Sequence, residues 1–131
     1  AELSKKCGAR RSVLLSVSAP FHCRLMEPAA EIMKTALEQV TFESPKIPII
    51  MNFDAMETQE VSKIRQNLYF QVTGMVRWRE TILKMANNGI SNFFELGSGR
   101  VLAGMVRRTV PEMRTMSIGC SADVRTFLGE N

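Results

Sequence analysis

The chain has 131 residues, of which 45% are hydrophobic and 23% charged, as in a globular domain with a real core. The formal net charge is only +4, and the basic residues form short pairs without interleaved aromatic residues, so nucleic acid is not an expected partner. No apolar run approaches the roughly 18 residues that a membrane-spanning helix needs, so no membrane location is expected.

The cysteines Cys7, Cys23 and Cys120 are odd in number and show no paired spacing. Such scattered cysteines are typical of reduced thiols in the cytoplasm. Together with the single histidine they do not form a zinc pattern. We therefore expect a cytoplasmic protein without a metal.

The first predicted elements are a strand and a helix separated by a turn. The strand is predicted over residues 12–18, which are rich in Val and Leu, and Pro20 ends it. The helix begins near Cys23 or Glu27 and ends near Val40. Its apolar residues recur at helical spacing: Ala29, Ile32, Met33, Ala36, Leu37 and Val40.

Strands and helices continue to alternate along the rest of the chain. In order, the pattern predicts a strand at 47–53, a loop at 54–58, a helix at 60–71, a helix marked by Met75, Trp78, Ile82 and Met85, a strand at 92–96, a tight turn at 97–99, a helix at 100–109, a strand at 113–120 and a helix at 122–128. This alternation predicts an α/β fold with a mostly parallel sheet.

His22, the only histidine, lies between the first predicted strand and the first predicted helix. The point where a strand gives way to a helix is where open α/β sheets build their sites. A histidine placed there is a candidate general base. A single histidine is also consistent with an ordinary surface or core residue, so the residues alone leave both interpretations open.

Four sequence blocks resemble, in the same order, the malonyl-CoA:acyl carrier protein transacylase family. The blocks are residues 20–26, similar to its histidine segment, 48–54, similar to its P-V-x-x-N-x-D strand, 71–78, similar to its Q-x-x-x-P-V-x-W block, and 95–102, similar to its E-x-G-P-G-x-V-L turn. The resemblance extends from about Gly8 to about Asp123. It concerns the C-terminal portion of the family, somewhat under half, so we expect the chain to be a piece of a longer protein.

The resemblance implies a fold and an activity. Residues 19–131 would be the C-terminal part of an α/β-hydrolase-like acyltransferase core, and residues 1–18 would end an inserted ferredoxin-like subdomain with its last strand. The implied enzyme transfers a malonyl group from coenzyme A to acyl carrier protein in fatty acid biosynthesis, through an acyl-serine intermediate. Malonyl-CoA and acyl carrier protein are thus the implied partners, and coenzyme A enters as a substrate thioester, with no separate cofactor.

The resemblance also implies roles for three residues. In the family a histidine is the base for a nucleophilic serine, and a backbone carbonyl orients the histidine. These roles fall on His22 and on the carbonyl of Gln71. Phe21, directly before the histidine, is implied to narrow the pocket in favour of malonyl over methylmalonyl. A core position for Phe21 and a solvated helix end for Gln71 are the alternatives.

The sequence departs from the family at several positions. No G-x-S-x-G motif occurs in the 131 residues, so we expect the piece to be inactive alone. Half of a hydrolase-like sheet would expose a strand edge and an apolar face, so we also expect the piece to self-associate. Cys23 adjoins His22 and should point away from it, so it is not an expected nucleophile. Gly74 and Met75 replace residues common in the family, which leaves the geometry of the Gln71 carbonyl open.

The alternative function is a non-catalytic α/β domain that binds an acidic protein partner.

Overall fold

Helices and strands alternate along the chain. The computed structural model describes residues 1–14 and 16–129. Its elements are α1 (Glu2–Lys6), a 3₁₀ helix (Arg24–Met26), α2 (Glu27–Glu38), β1 (Ile49–Ile50), β2 (Glu57–Thr58), α3 (Val61–Phe70), α4 (Trp78–Asn87), β3 (Asn92–Leu96), α5 (Val101–Thr109), β4 (Arg114–Ile118) and α6 (Ser121–Leu128). The mixed α/β class is therefore confirmed, and β3 forms over the residues that the sequence predicts.

The strands of the described residues form two small sheets. β3 and β4 pair in parallel, from Asn92 opposite Arg114 to Leu96 opposite Ile118, and α5 connects them. Parallel neighbours need such a crossover, whereas β1 and β2 are antiparallel and need only a tight turn. β2 falls on residues predicted as a loop, and β1 occupies only part of the strand predicted at 47–53. Among the described residues, the parallel pairing that the sequence predicts is thus found in the β3–β4 pair alone.

The main cluster of buried side chains lies between α4, α5 and the start of β4. Ile82 and Val106 are fully buried, and Val110 and Met113 are nearly so. Trp78 and Phe93 pack against this cluster with their rings edge to face, 6.1 Å apart. The apolar spacing predicted for α4 is therefore a core-facing stripe.

A buried carboxylate joins β3 to α5. Glu95 accepts hydrogen bonds from the backbone N–H of Leu102 at 3.0 Å and of Ala103 at 2.9 Å, and from the hydroxyl of Ser117 at 3.3 Å. The first N–H groups of a helix have no partner within the helix, so Glu95 satisfies two of them. These bonds, that from Ala103 foremost, hold the pKa of the Glu95 carboxyl below its ordinary value.

The strand predicted over residues 12–18 is wrong for residues 12–14 and 16–18, which have neither helical nor strand structure. Leu15, inside that prediction, lies outside the described residues. Val13, Leu14 and Val17 are 57%, 86% and 64% exposed. A strand forms only when a neighbouring backbone pairs with its N–H and C=O groups, and no described segment of this chain does so here. Residues 12–14 and 16–18 therefore have no partner strand among the described residues.

Candidate active site

His22 lies in a turn directly before the 3₁₀ helix that precedes α2. Its Nδ1 is 2.9 Å from the backbone carbonyl oxygen of Gln71. A carbonyl oxygen can only accept, so Nδ1 carries the proton of this hydrogen bond. In the neutral ring, Nε2 is then left with a lone pair that can take a proton from a nucleophile.

The backbone at His22 is in the left-handed region, with φ +58°. For a residue with a side chain this conformation costs on the order of 1–3 kcal/mol, and it persists where the surroundings enforce it. The N–H of Phe21 donates to Ala19 O at 2.9 Å, and Cys23 Sγ donates to Pro20 O at 3.1 Å. These two bonds hold the turn, and they direct the Cys23 thiol at the backbone.

Gln71 is the residue at which α3 ends. The last carbonyls of a helix have no partner within the helix. The N–H of Gln71 still donates to Asn67 O at 2.9 Å, while its carbonyl accepts from His22. The structure thus brings His22 and Gln71 together in spite of the departures at Gly74 and Met75. Their roles in a reaction stay predictions.

An open cleft of about 470 Å³ lies at His22. Phe21, Met26, Ala29 and Met33 give it an apolar wall, and Asn52, Gln71 and Val72 lie around it. The Phe21 ring is 55% exposed, so it is a cleft residue and not a core aromatic. A larger cavity of about 570 Å³ lies between α2 and α3, but its lining lacks His22 and Gln71. The smaller cleft is the candidate site because it contains the oriented imidazole.

Helices α2 and α3, which follow His22 and precede Gln71, are linked by polar side chains. The Tyr69 hydroxyl donates to Glu31 at 2.8 Å, and Arg65 donates to the carbonyls of Leu37 and, at 3.2 Å, of Val40. Arg65 therefore satisfies carbonyls at the C-terminal end of α2. Sequence reasoning missed these residues, because partners so far apart in the chain leave no local pattern.

Within residues 1–14 and 16–129, no three side chains of the His, Cys, Asp or Glu type are grouped to hold a metal ion. None of the helices in this described part has the length and apolarity to cross a bilayer.

Sequence comparisons find relatives that are named malonyl CoA-acyl carrier protein transacylase. The malonyl CoA-acyl carrier protein transacylase of Haemophilus influenzae is 39% identical over 127 residues, which are 97% of this chain and 40% of that protein. The enzyme of the same name from Bacillus subtilis is 37% identical over 117 residues, 89% of this chain and 37% of that protein. No protein-family model matches the chain.

Solved structures agree with these relatives. An acyl-carrier-protein-S-malonyltransferase from Bartonella henselae superposes with a TM-score of 0.90 and 42% identity, over 98% of this chain and 41% of that one. A complex of a type II polyketide synthase acyl carrier protein with its malonyl-transacylase contains a chain that matches with a TM-score of 0.90 and 35% identity, over 99% of this chain and 42% of that one.

In its α/β fold and over most of its own length, the chain is similar to proteins named as transacylases or malonyltransferases. More narrowly, in sequence and in structure it is similar to the C-terminal portion of the malonyl-CoA:acyl carrier protein transacylases. The chain spans about 40% of the length of the H. influenzae relative and about 37% of that of the B. subtilis relative.

Proposed function

We propose that the full-length protein containing this chain transfers a malonyl group from coenzyme A to acyl carrier protein in fatty acid biosynthesis. The observation that carries the proposal is the hydrogen bond from His22 Nδ1 to the Gln71 carbonyl at an open cleft. It leaves Nε2 as the proton acceptor that a general base requires. The names of the relatives support the choice of donor and acceptor.

In the proposed mechanism, His22 moves one proton in each half-reaction. Nε2 takes the proton of a serine hydroxyl while the serine oxygen attacks the thioester carbonyl. The C–S bond then breaks, and the leaving coenzyme A thiol receives that proton. In the second half, Nε2 takes the proton of the carrier-protein thiol while its sulfur attacks the acyl-serine carbonyl. The C–O bond to the serine then breaks, and the proton passes from Nε2 to the serine oxygen. The carbonyl of Gln71 keeps the imidazole in one tautomer throughout.

The serine is assigned to a part of the protein outside these 131 residues, because they contain no G-x-S-x-G motif. We therefore propose that this piece alone is inactive. Coenzyme A takes part as a substrate thioester, and no separate cofactor is proposed. The expected cytoplasmic location stays a prediction.

We also propose the domain assignment that the resemblance implies. Residues 19–131 belong to an α/β-hydrolase-like core, and residues 1–18 end a ferredoxin-like subdomain. The α/β architecture and the match to transferase structures support the first part of this assignment. No observation favours the alternative of a non-catalytic domain that binds an acidic partner.

Substitution of the base tests the proposal. In the full-length protein, His22→Ala removes the proton acceptor, so we expect malonyl transfer to fall by about 100-fold or more, as for loss of general-base catalysis. The assay follows the transfer of labelled malonyl from malonyl-CoA to acyl carrier protein.

Cys23→Ser is the matched control, because a hydroxyl can keep the hydrogen bond to Pro20 O at the neighbouring position. This variant should stay close to wild type. A rate of malonyl transfer by His22→Ala within about tenfold of wild type would contradict the assignment of His22 as the base.

A further inference from the structure

We infer that Phe53 and Gly74 are positioning residues, which fix the Gln71 carbonyl and, through it, the imidazole of His22. Among the described residues, neither Phe53 nor Gly74 forms a hydrogen bond with His22. Both act on the turn at the end of α3 that carries Gln71.

The space for a side chain at Gly74 is already filled. A Cβ atom built there would lie 2.5 Å and 2.6 Å from Cδ2 and Cε2 of Phe53 and 2.8 Å from the carbonyl oxygen of Phe70. Contacts this short do not occur in stable structures, so a side chain would force a neighbour to move. The Gly74 N–H also donates to Phe70 O at 2.9 Å, which closes the turn over Gln71.

The Phe53 ring cannot easily give way. It packs on the Phe70 ring at 5.2 Å between centroids. Its backbone is held from the other side, since the Arg77 N–H donates to Asn52 O at 2.9 Å and Arg77 Nε donates to Phe53 O at 3.0 Å. The segment at 52–53 is thus fastened to both ends of the segment from Phe70 to Arg77, and Gln71 lies within it.

Either response to a side chain at position 74 would displace Gln71. If Phe70 moves, the residue directly before Gln71 moves. If Phe53 moves, the ring packed on the end of α3 is lost. A hydrogen bond of 2.9 Å weakens steeply when its length or angle changes, so the Nδ1–H tautomer of His22 would lose its preference.

The test reads the His22 ring directly in the full-length protein, by ¹⁵N NMR of labelled histidine. The His22 signals are identified by their loss in His22→Gln. Wild type should show one neutral tautomer, with Nδ1 protonated, and Gly74→Ala should show a mixture of both tautomers. Gly104→Ala is the matched control, because a Cβ at that helical glycine meets nothing within 4 Å and should leave the ring unchanged.

Phe53→Leu is the second variant, in case Gly74→Ala does not fold. It keeps an apolar side chain but removes the flat ring, and it should also mix the tautomers. Phe53→Leu combined with Gly74→Ala should recover part of the Nδ1–H population, because the ring contacts are relieved while the contact with Phe70 O remains. A folded Gly74→Ala or Phe53→Leu protein with the wild-type tautomer overturns the inference.

The catalytic consequence rests on the proposed function, whereas the tautomer measurement does not. With His22 as the base, Gly74→Ala should lower kcat about tenfold with KM within about twofold, since orientation is lost and binding is not. Mixed tautomers with unchanged kcat would uphold the positioning and contradict the role of His22 as the base. An unchanged tautomer would overturn the positioning alone.

Discussion

His22 combines two features that neither neighbour shares: a left-handed backbone and a hydrogen bond to a helix end 49 residues later in the chain. The hydrogen bond fixes the tautomer of the ring. Because the hydrogen bond is made to a carbonyl, the imidazole is oriented without a buried carboxylate.

Phe21 provides a prediction at the residue scale. Its ring is half-exposed on the cleft wall, so removing it should open space beside the acyl group. We expect Phe21→Ala to raise the use of methylmalonyl-CoA relative to malonyl-CoA by about tenfold, the usual worth of a methyl group in a tight pocket. The measurement is the ratio of kcat/KM for the two substrates in the full-length protein.

Leu25→Ala is the control for Phe21, since Leu25 is also exposed but does not line the cleft. It should leave the ratio unchanged. A ratio that stays constant in Phe21→Ala as well would show that Phe21 does not set acyl specificity.

Among the elements, α5 depends on Glu95 in β3 for its first N–H groups. The pKa of this carboxyl is lowered, chiefly by the Ala103 N–H, so the ionised form favours the folded state. That stabilisation is complete above the ordinary pKa of 4.5 and is lost as the pH falls through the lowered value. Glu95→Gln should therefore lower Tm by a few degrees at neutral pH, and the difference should shrink in acid.

Thermal unfolding of wild type and Glu95→Gln, measured from neutral pH to below pH 4.5, checks the expectation. Glu112→Gln alters an exposed carboxyl and should leave Tm nearly unchanged. If wild type and Glu95→Gln differ in Tm by the same amount at every pH, the effect arises from packing and not from the charge of the carboxylate.

The elements also show what local pattern can predict. The helical stripe around Ile82 and the strand at 92–96 follow from spacing alone, because burial of one face leaves a period in the sequence. The strand predicted at 12–18 is wrong for its described residues, because strand pairing depends on a partner that local residues do not encode. β2, only Glu57–Thr58, is too short and polar to show a period.

The candidate site was predictable only in part, again because contacts between distant residues leave no local pattern in the sequence. The sequence motifs indicated His22, and the resemblance indicated Gln71, but no periodicity links residues 49 positions apart. The contact between Phe53 and Gly74 is of the same kind, since it depends on how two loops meet. What remained beyond prediction is long-range geometry, whereas residue type and local period were enough for most helices.

At the scale of the whole molecule, much apolar surface is exposed. Leu14 and Leu96 are 86% and 76% exposed, and Leu25 and Ile32 are each 73% exposed. β3 and β4 form a sheet of two strands, so each has one edge without a strand partner among the described residues. Surfaces of this kind are covered in stable proteins by another element or another chain.

We therefore expect the 131-residue chain alone to associate, with a mass in solution above its own 14.7 kDa. Sedimentation equilibrium over a range of protein concentrations measures this. Leu96→Lys places a charge at the end of an exposed strand edge and should shift the population towards the monomer, because charges discourage edge-to-edge pairing. Glu112→Lys is the control, because it raises the net charge twice as much as Leu96→Lys but at an exposed polar position away from the strand edge. A shift towards the monomer in Leu96→Lys alone would show protection of the edge and not general charge repulsion. A mass of 14.7 kDa at every concentration would show that these apolar surfaces do not drive association, whatever covers them in the full-length protein.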